Sequence, residues 1–422
     1  MDNSPRAVGK GVAVVQPIIA DDSSWKTRFH MLFYGVSCVL FWSVFIMQLP
    51  FVAPYFGGIK VMFYVSMVYG LSSNISRVVL MFMHNRSGSK LSLRIDRLVY
   101  LGASVTALGM FLFPICMGVL STSHPDISFW ICLGITAMVG AFNSLLVTGG
   151  FALMSLAPPV SGQFFLIGFT LTGIITWPFI VSLRLISEAA GTSGDTTTLI
   201  VSIISLSITG ILCLMSIPMY RFKTSKNPYF ISQLARDSVT PCNSRNGIIP
   251  VFRKIWPIIL SLWSSRVITF ALYPGLIGLW SPHGQVPFSK NLYQSFLLYL
   301  GPVSDTIGQF AFRFTPLSAK LGERALTILT IVRGLVLIPL FIQSAKFDET
   351  NSILAQDWFR ILLMFFFSFS MGINYSLGNA IAPTKFDSPD DKYTVGVILS
   401  FVAMNGLFVG SLVGIGFKEI LA

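Results

Sequence analysis

The chain alternates between long apolar segments and short polar ones from about residue 30 to its end. A helix needs about 20 predominantly apolar residues to cross the hydrocarbon core of a bilayer. The pattern therefore predicts an all-α polytopic membrane protein with about eleven transmembrane helices. Their expected ranges are 30–55, 61–83, 98–120, 128–154, 162–186, 197–219, 255–280, 292–312, 325–345, 358–382 and 393–417.

The longest internal polar stretch separates the first six predicted helices from the last five. It predicts a linker over residues 220–254, rich in Pro, Asn and basic residues, with no sign of a folded domain. The expected organisation is a polar tail over 1–29, a six-helix bundle over 30–219 and a five-helix bundle over 255–422. The second bundle ends in a very short C-terminus.

Basic side chains predict the orientation of these helices, because short cytoplasmic loops carry more Lys and Arg than external ones. With the N-terminus inside, the cytoplasmic segments hold 20 of the 29 Lys and Arg residues, whereas the external segments hold six. We therefore expect a cytoplasmic N-terminus, a cytoplasmic linker and an extracellular C-terminus, in a plasma membrane.

The composition agrees with a membrane protein and argues against several other classes. Apolar residues make up 53% of the chain, charged residues only 11%, and the mean hydropathy is +0.73, whereas soluble proteins carry about 25% charged residues. The net charge of +12 follows from the basic loops and does not require a nucleic-acid partner. The five Cys and four His residues are scattered, which predicts no metal site and no cofactor. Without a phosphate-binding loop, HExxH or GxSxG motif, no enzymatic activity is expected.

Asp305 is the carboxylate placed deepest in a predicted transmembrane segment. A charge there costs at least about 3 kcal/mol on insertion scales and usually has a partner and a function. Arg266, in the preceding segment, lies at a similar depth within the error of the segment ends. We expect these two residues to form an ion pair that lines a polar solute path. A purely structural pair is the alternative, and Arg333 or Arg97 is the next partner to consider.

Amide and aromatic side chains recur in several of the same segments. Amides cost more to bury in a membrane than Ser or Thr, which usually bond their own backbone. Aromatic rings beside amides suit a ligand with a flat ring and many hydroxyl groups. The candidate substrate-binding residues of this kind are Trp42, Gln48, Asn143, Thr170, Asn374 and Tyr375.

The segment count, the six-plus-five division and several short motifs resemble the equilibrative nucleoside transporter family. The motifs are Phe41-Trp42-Ser43, the glycine-rich stretches Gly140–Pro158 and Gly168–Gly173, Tyr273-Pro274-Gly275, Asp305-Thr306-Ile307-Gly308-Gln309, and Gly372-Ile373-Asn374-Tyr375 followed by Ala382-Pro383. The resemblance implies a major-facilitator-like architecture of two bundles. It also implies facilitative transport of nucleosides or nucleobases by alternating access, in a monomer.

The resemblance also implies roles for individual residues. Trp42 would stack on the base, Asn143 would bond the edge of the base as a fourth-span amide does in some protozoan members, and Asp305 with Gln309 would hold the ribose hydroxyls. Purine and pyrimidine substrates both remain open.

Two positions depart from the family pattern. Gln309 stands where the family has an Arg that pairs with the Asp and contacts ribose, and Phe169 stands where many members have a Gln that contacts the base. Arg266 is therefore a candidate replacement for the missing cation. The alternative functions are a proton-coupled carrier of another small polar solute, with Asp305 as the titrating group, and a non-transporting membrane scaffold or receptor.

Overall fold

The structure is a computed structural model that describes most of the chain. The described residues are 25–52, 56, 60–86, 91–120, 125–192, 194–232, 248–273, 275–284, 286–314, 322–346 and 352–421. Within these ranges the regular structure is helical, and eleven helices are long. The predicted all-α class is therefore confirmed.

Six long helices precede residue 232 and five follow residue 247. The first six are α1 (Trp25–Val52), α2 (Lys60–Arg86), α3 (Leu91–Leu120), α4 (Pro125–Leu156), α5 (Pro159–Ala189) and α6 (Gly194–Met219). The last five are α7 (Ile248–Leu272), α8 (Lys290–Phe314), α9 (Glu323–Lys346), α10 (Asp357–Thr384) and α11 (Pro389–Leu421). Thus α1 begins inside the range predicted as the N-terminal tail and α7 begins inside the predicted linker, while residues 1–24 and 233–247 lie outside the described part.

A bilayer explains why the segments are helices, since only a helix satisfies its own backbone hydrogen bonds in hydrocarbon. Ten of the described helices are long and apolar enough to cross a membrane. The remaining long helix, α8, has 25 residues and is also long enough, at about 1.5 Å per residue. It carries Gln294, Asp305 and Gln309 among its apolar residues.

The helices pack as two groups that meet along a few pairs. Helix α1 packs on α5 and α6, and α3 packs on α4 and α6, whereas α7 packs on α11 and α8 packs on α10. The two groups meet where α8 contacts α5 and α1, and where α11 contacts α2 and α4. A cavity between the groups would therefore be lined by α1, α2 and α5 on one side and by α7, α8, α10 and α11 on the other.

Glycines allow a close crossing of α8 and α10 at the central carboxylate. A Cβ atom at Gly372 would collide with the backbone oxygen of Asp305, and one at Gly308 would collide with the backbone oxygen of Phe369. Small residues allow membrane helices to approach in this way. The crossing therefore fixes the height and direction of Asp305 relative to α10.

Helix α9 contains a π-helical turn over Arg333–Leu337, between two α-helical parts. Such turns are rare and occur often at functional sites, since the extra residue turns the following side chains. The turn begins at Arg333, which is only 1% exposed. By contrast, the neighbouring Ile331 and Leu335 are 53% and 74% exposed, as expected of side chains that face lipid.

Candidate functional site

A cavity of about 970 Å³, counting its open mouth, lies between the two groups of helices. Most of its wall is apolar or aromatic, with a few polar groups. The polar and aromatic side chains that line it include Trp42, Ser43, Tyr69, Phe169, Thr170, Arg266, Thr269, Tyr273, Asp305 and Ser368.

Asp305 lines this cavity from the middle of α8, one turn after Pro302. Its Oδ1 accepts a hydrogen bond from Nε2 of Gln309 at 3.2 Å, one helical turn further along. Gln309 does not line the cavity and holds the carboxylate from behind. A half-buried carboxylate in this position can accept hydrogen bonds from the hydroxyl groups of a solute.

Arg266 lines the same cavity from α7 but does not form the direct ion pair predicted from the sequence. In the described part of the chain, no ion pair of 4 Å or less joins it to Asp305. Instead, Cζ of Arg266 lies 3.9 Å from the centroid of the Tyr375 ring. Tyr375 therefore supports the arginine from α10 and is not itself part of the cavity wall.

Trp42 lies at the cavity as half of an aromatic pair. Its ring stacks on Tyr69 of α2, with centroids 4.9 Å apart and planes 25° apart. Asn143 lies behind this pair and not at the cavity, because its amide donates to the Tyr69 hydroxyl at 2.8 Å and to the Cys38 carbonyl at 3.0 Å. Asn143 therefore positions Tyr69 in this structure, and its direct contact with a base stays a prediction.

Thr170 lies in the cavity wall and also joins the two groups of helices. Its hydroxyl accepts a hydrogen bond from Thr306 of α8 at 2.8 Å. Since Thr306 neighbours Asp305, the bond ties α5 to the helix that carries the carboxylate.

Two predicted site residues point away from the cavity. Gln48 bonds Ser202 at 2.8 Å and also Ser205, both on α6. Asn374 donates to Thr330 of α9 at 2.8 Å. Both amides bond side chains of neighbouring helices within their own group, although Oδ1 of Asn374 is buried without a donor.

Arg97 is exposed on α3 and does not line the cavity, so it is not a partner of Asp305. Arg333, which the sequence analysis named as another possible partner of Asp305, is held by several other acceptors. It donates to Ser370 Oγ at 3.0 Å, to Thr269 Oγ1 at 3.2 Å, to the Phe367 carbonyl at 3.1 Å, and to both oxygens of Ser265.

Sequence reasoning missed Tyr69 and Ser368, which also line the cavity. The only signal for Tyr69 was an aromatic residue near the middle of a transmembrane segment. Ser368 lies in a run of Phe and Ser that gave no signal at all.

Four aromatic residues, Phe151, Phe165, Phe169 and Tyr375, form a layer that reaches the cavity at Phe169, which lines its wall. Ring centroids within it are 5.2 Å apart for Phe151 and Phe165 and 6.5 Å apart for Phe169 and Tyr375. The second of these contacts joins α5 to α10, across the two groups of helices.

A second cavity of about 570 Å³ lies beyond this layer. Its wall includes Gln163 and Leu166 of α5, which precede Phe169, and Asn379 and Pro383 of α10, which follow Tyr375. The order of residues along both helices therefore places the aromatic layer between the two cavities.

Comparison with known proteins agrees with this arrangement. A model of the nucleoside transporter family matches residues 231–418, and no curated protein matches the chain. The solved structure of the nucleoside transporter NupG has a TM-score of 0.53 at 13% identity, covering 94% of this chain and 91% of that one. The human organic anion transporter MFSD10 has a TM-score of 0.55 at 12% identity, covering 93% of both chains.

These findings confirm the resemblance to nucleoside transporters over the matched residues. The solved structures confirm the major-facilitator-like architecture of two bundles. The chain is therefore an integral membrane protein with a two-bundle fold, and its resemblance to the nucleoside transporter family covers residues 231–418.

Proposed function

We propose that this protein is a facilitative carrier that moves nucleosides, and free nucleobases, across the plasma membrane by alternating access, without catalysing a reaction. The observation that carries the proposal is the cavity between the bundles. It brings the Trp42 ring and the Asp305 carboxylate to one enclosed space, in a chain whose second half matches the nucleoside transporter family.

The two residues suit the two halves of a nucleoside. The Trp42 ring, already stacked on Tyr69, offers an aromatic surface for a base, and stacking of this kind contributes about 1–3 kcal/mol. Asp305 offers carboxylate oxygens to ribose hydroxyls, and hydrogen bonds to charged groups contribute about 1.5–3 kcal/mol each. The Thr170 hydroxyl lies within the same wall and adds a further polar contact.

The aromatic layer supplies a barrier for alternating access. While Phe169 and Tyr375 are in contact, the substrate cavity is separated from the second cavity. Release on that side requires α5 and α10 to move apart, and rocking of one bundle against the other is the usual motion in carriers built this way. Given the distribution of basic residues, the second cavity faces the cytoplasm.

A flux measurement on the purified full-length protein in liposomes tests the proposal. Labelled inosine and uridine should equilibrate across the membrane, should not accumulate, and should exchange with unlabelled nucleoside inside. Accumulation that depends on a proton gradient would instead favour the proton-coupled carrier. Absence of flux for nucleosides, bases, sugars and amino acids would favour a scaffold or receptor and would overturn the proposal.

Accessibility of tags tests the orientation, which rests on the 20-to-6 distribution of Lys and Arg between the two sides. A tag after Ala422 should be labelled from outside intact cells, whereas a tag within residues 233–247 should require permeabilised cells. The reverse pattern would overturn the orientation while leaving the flux result in place.

A further inference from the structure

Arg266 is a buried cation at the cavity whose hydrogen-bonding groups are incompletely satisfied. The side chain is 8% exposed and lines the cavity. Its Nε is buried without an acceptor, whereas its terminal Nη1 and Nη2 atoms are not among the fully buried atoms that lack a partner. The terminal nitrogens are therefore the donors that a solute in the cavity can reach, and a solute that supplies acceptors would be favoured at this point.

The backbone and ring contacts fix where Arg266 presents these donors. Gly406 of α11 packs against the Cβ of Arg266 so closely that a side chain there would collide with it. The Tyr375 ring covers one face of the guanidinium. Stacking covers the face of the plane and leaves the N–H groups along its edges, where two donors lie side by side.

Arg77 shows why the cavity matters for this argument. Its Nε and Nη2 are also buried without acceptors, but it is fully buried and does not line the cavity. A solute in the cavity reaches the wall and not the interior of the first bundle. Arg266 is therefore the arginine whose terminal N–H groups a substrate in the cavity can reach.

We infer that Arg266 contacts the substrate directly and selects purine nucleosides with a 6-oxo group, such as inosine and guanosine. This inference rests on the proposed function. An arginine edge binds the O6 and N7 acceptors of such a base in a bidentate manner. Adenosine presents an amino donor in place of O6, so one donor would face another and both would lose their partners. Uridine has carbonyl groups at C2 and C4, but neither lies beside a ring nitrogen that can accept a hydrogen bond.

Binding of nucleosides to the purified full-length protein tests the inference without any mutation. Inosine and guanosine should bind about 5- to 150-fold more tightly than adenosine, the discrimination expected of one bidentate contact. The analogue 7-deazainosine, which lacks N7, should bind more weakly than inosine. Equal affinities for inosine and adenosine would overturn the inference.

A substitution should then change the order of preference. Glutamine pairs with the N6 and N7 groups of adenine, so Arg266→Gln should weaken inosine binding and bring adenosine level with it or above it. Arg266→Lys keeps the charge without the planar edge and should lose the preference. Arg253→Gln is the matched control, since Arg253 is exposed on the same helix, and it should keep the wild-type order.

The outcomes separate this inference from the function on which it rests. If no nucleoside binds to the wild-type protein, both fail. Suppose instead that the wild-type protein binds nucleosides without preferring 6-oxopurines, and that Trp42→Ala weakens the binding of all of them. The proposed transport function would then be supported, and the proposed role of Arg266 would be wrong. If Arg266→Gln does not fold, the wild-type series of inosine, 7-deazainosine and adenosine decides alone.

Discussion

Arg333 and Arg266 are two buried arginines in the same bundle with opposite surroundings. The guanidinium of Arg333 lies among serine, threonine and backbone oxygens of α7 and α10, at distances that include 3.0, 3.1 and 3.2 Å. That of Arg266 is stacked on a tyrosine at the cavity, with its Nε lacking an acceptor. Burial and residue type are shared, so neither distinguishes a structural charge from a functional one.

The difference lies in whether other groups of the protein accept the hydrogen bonds that the guanidinium can donate. A fully bonded buried group stabilises the packing around it and has little left to offer a ligand. A partly bonded group at a cavity keeps its donors or acceptors for a solute. This distinction predicts which substitutions will change stability and which will change binding.

The largest effect should come from Arg333→Gln. Its removal takes the charged donor from the hydroxyl groups of Ser265, Thr269 and Ser370, and hydrogen bonds to charged groups contribute about 1.5–3 kcal/mol each. We therefore expect a loss of about 3 kcal/mol or more, seen as a sharp fall in melting temperature in detergent or as failure to insert. Arg253→Gln should have the melting temperature of the wild type. If Arg333→Gln also kept that melting temperature, the proposed difference between Arg333 and Arg266 would be wrong.

Asp305→Asn should lower nucleoside affinity about 10- to 150-fold, because hydrogen bonds to a charged group contribute about 1.5–3 kcal/mol. The amide keeps the shape of the carboxylate and its place beside Gln309, so melting temperature should fall less than in Arg333→Gln. Nucleoside affinity and melting temperature, measured on the same preparation, check the two expectations. Unchanged affinity would remove Asp305 from the site.

Trp42→Ala should weaken nucleoside binding about 5- to 150-fold, since stacking of a base on an aromatic ring contributes about 1–3 kcal/mol. Trp42→Phe should lose less, because a smaller ring still stacks. Equilibrium binding of inosine and uridine should show similar losses for both, as stacking tolerates any base. A loss confined to one nucleoside would indicate a different contact.

Gln48→Met should have the smallest effect, and on stability alone. Gln48 lies on the same helix as Trp42, but its amide bonds Ser202 and Ser205 of α6. Neutral hydrogen bonds contribute about 0.5–1.5 kcal/mol each, so we expect a loss of about 1–3 kcal/mol in the free energy of unfolding with unchanged affinity. A weaker affinity in a normally stable variant would place Gln48 back in the site.

The positions of the long helices were predictable from the sequence because a bilayer leaves the backbone little choice. Apolar segments of 21 residues or more must satisfy their backbone hydrogen bonds internally, so each becomes a helix. The same reasoning identified Asp305 and Arg266 as costly charges in such segments, and both line the cavity.

The direction of each side chain around its helix was not predictable in the same way. Trp42 and Gln48 are six residues apart on α1, yet one lines the cavity and the other bonds α6. Asn143 and Asn374 are equally polar amides, and both turn to partners on neighbouring helices. In a membrane segment with low amphipathicity, the sequence pattern does not predict which face of the helix packs against which neighbouring helix.

The sequence alone therefore determined the helical class, the number of long helices and the rare charges among them, because these follow from the cost of exposing polar groups to lipid. Only the tertiary structure decided which polar groups satisfy one another and which remain for a solute. That outcome depends on close contacts such as Gly372 against Asp305 and Gly406 against Arg266. Those contacts set the rotation and height of each helix to within a few ångströms, and residues far apart in the chain make them.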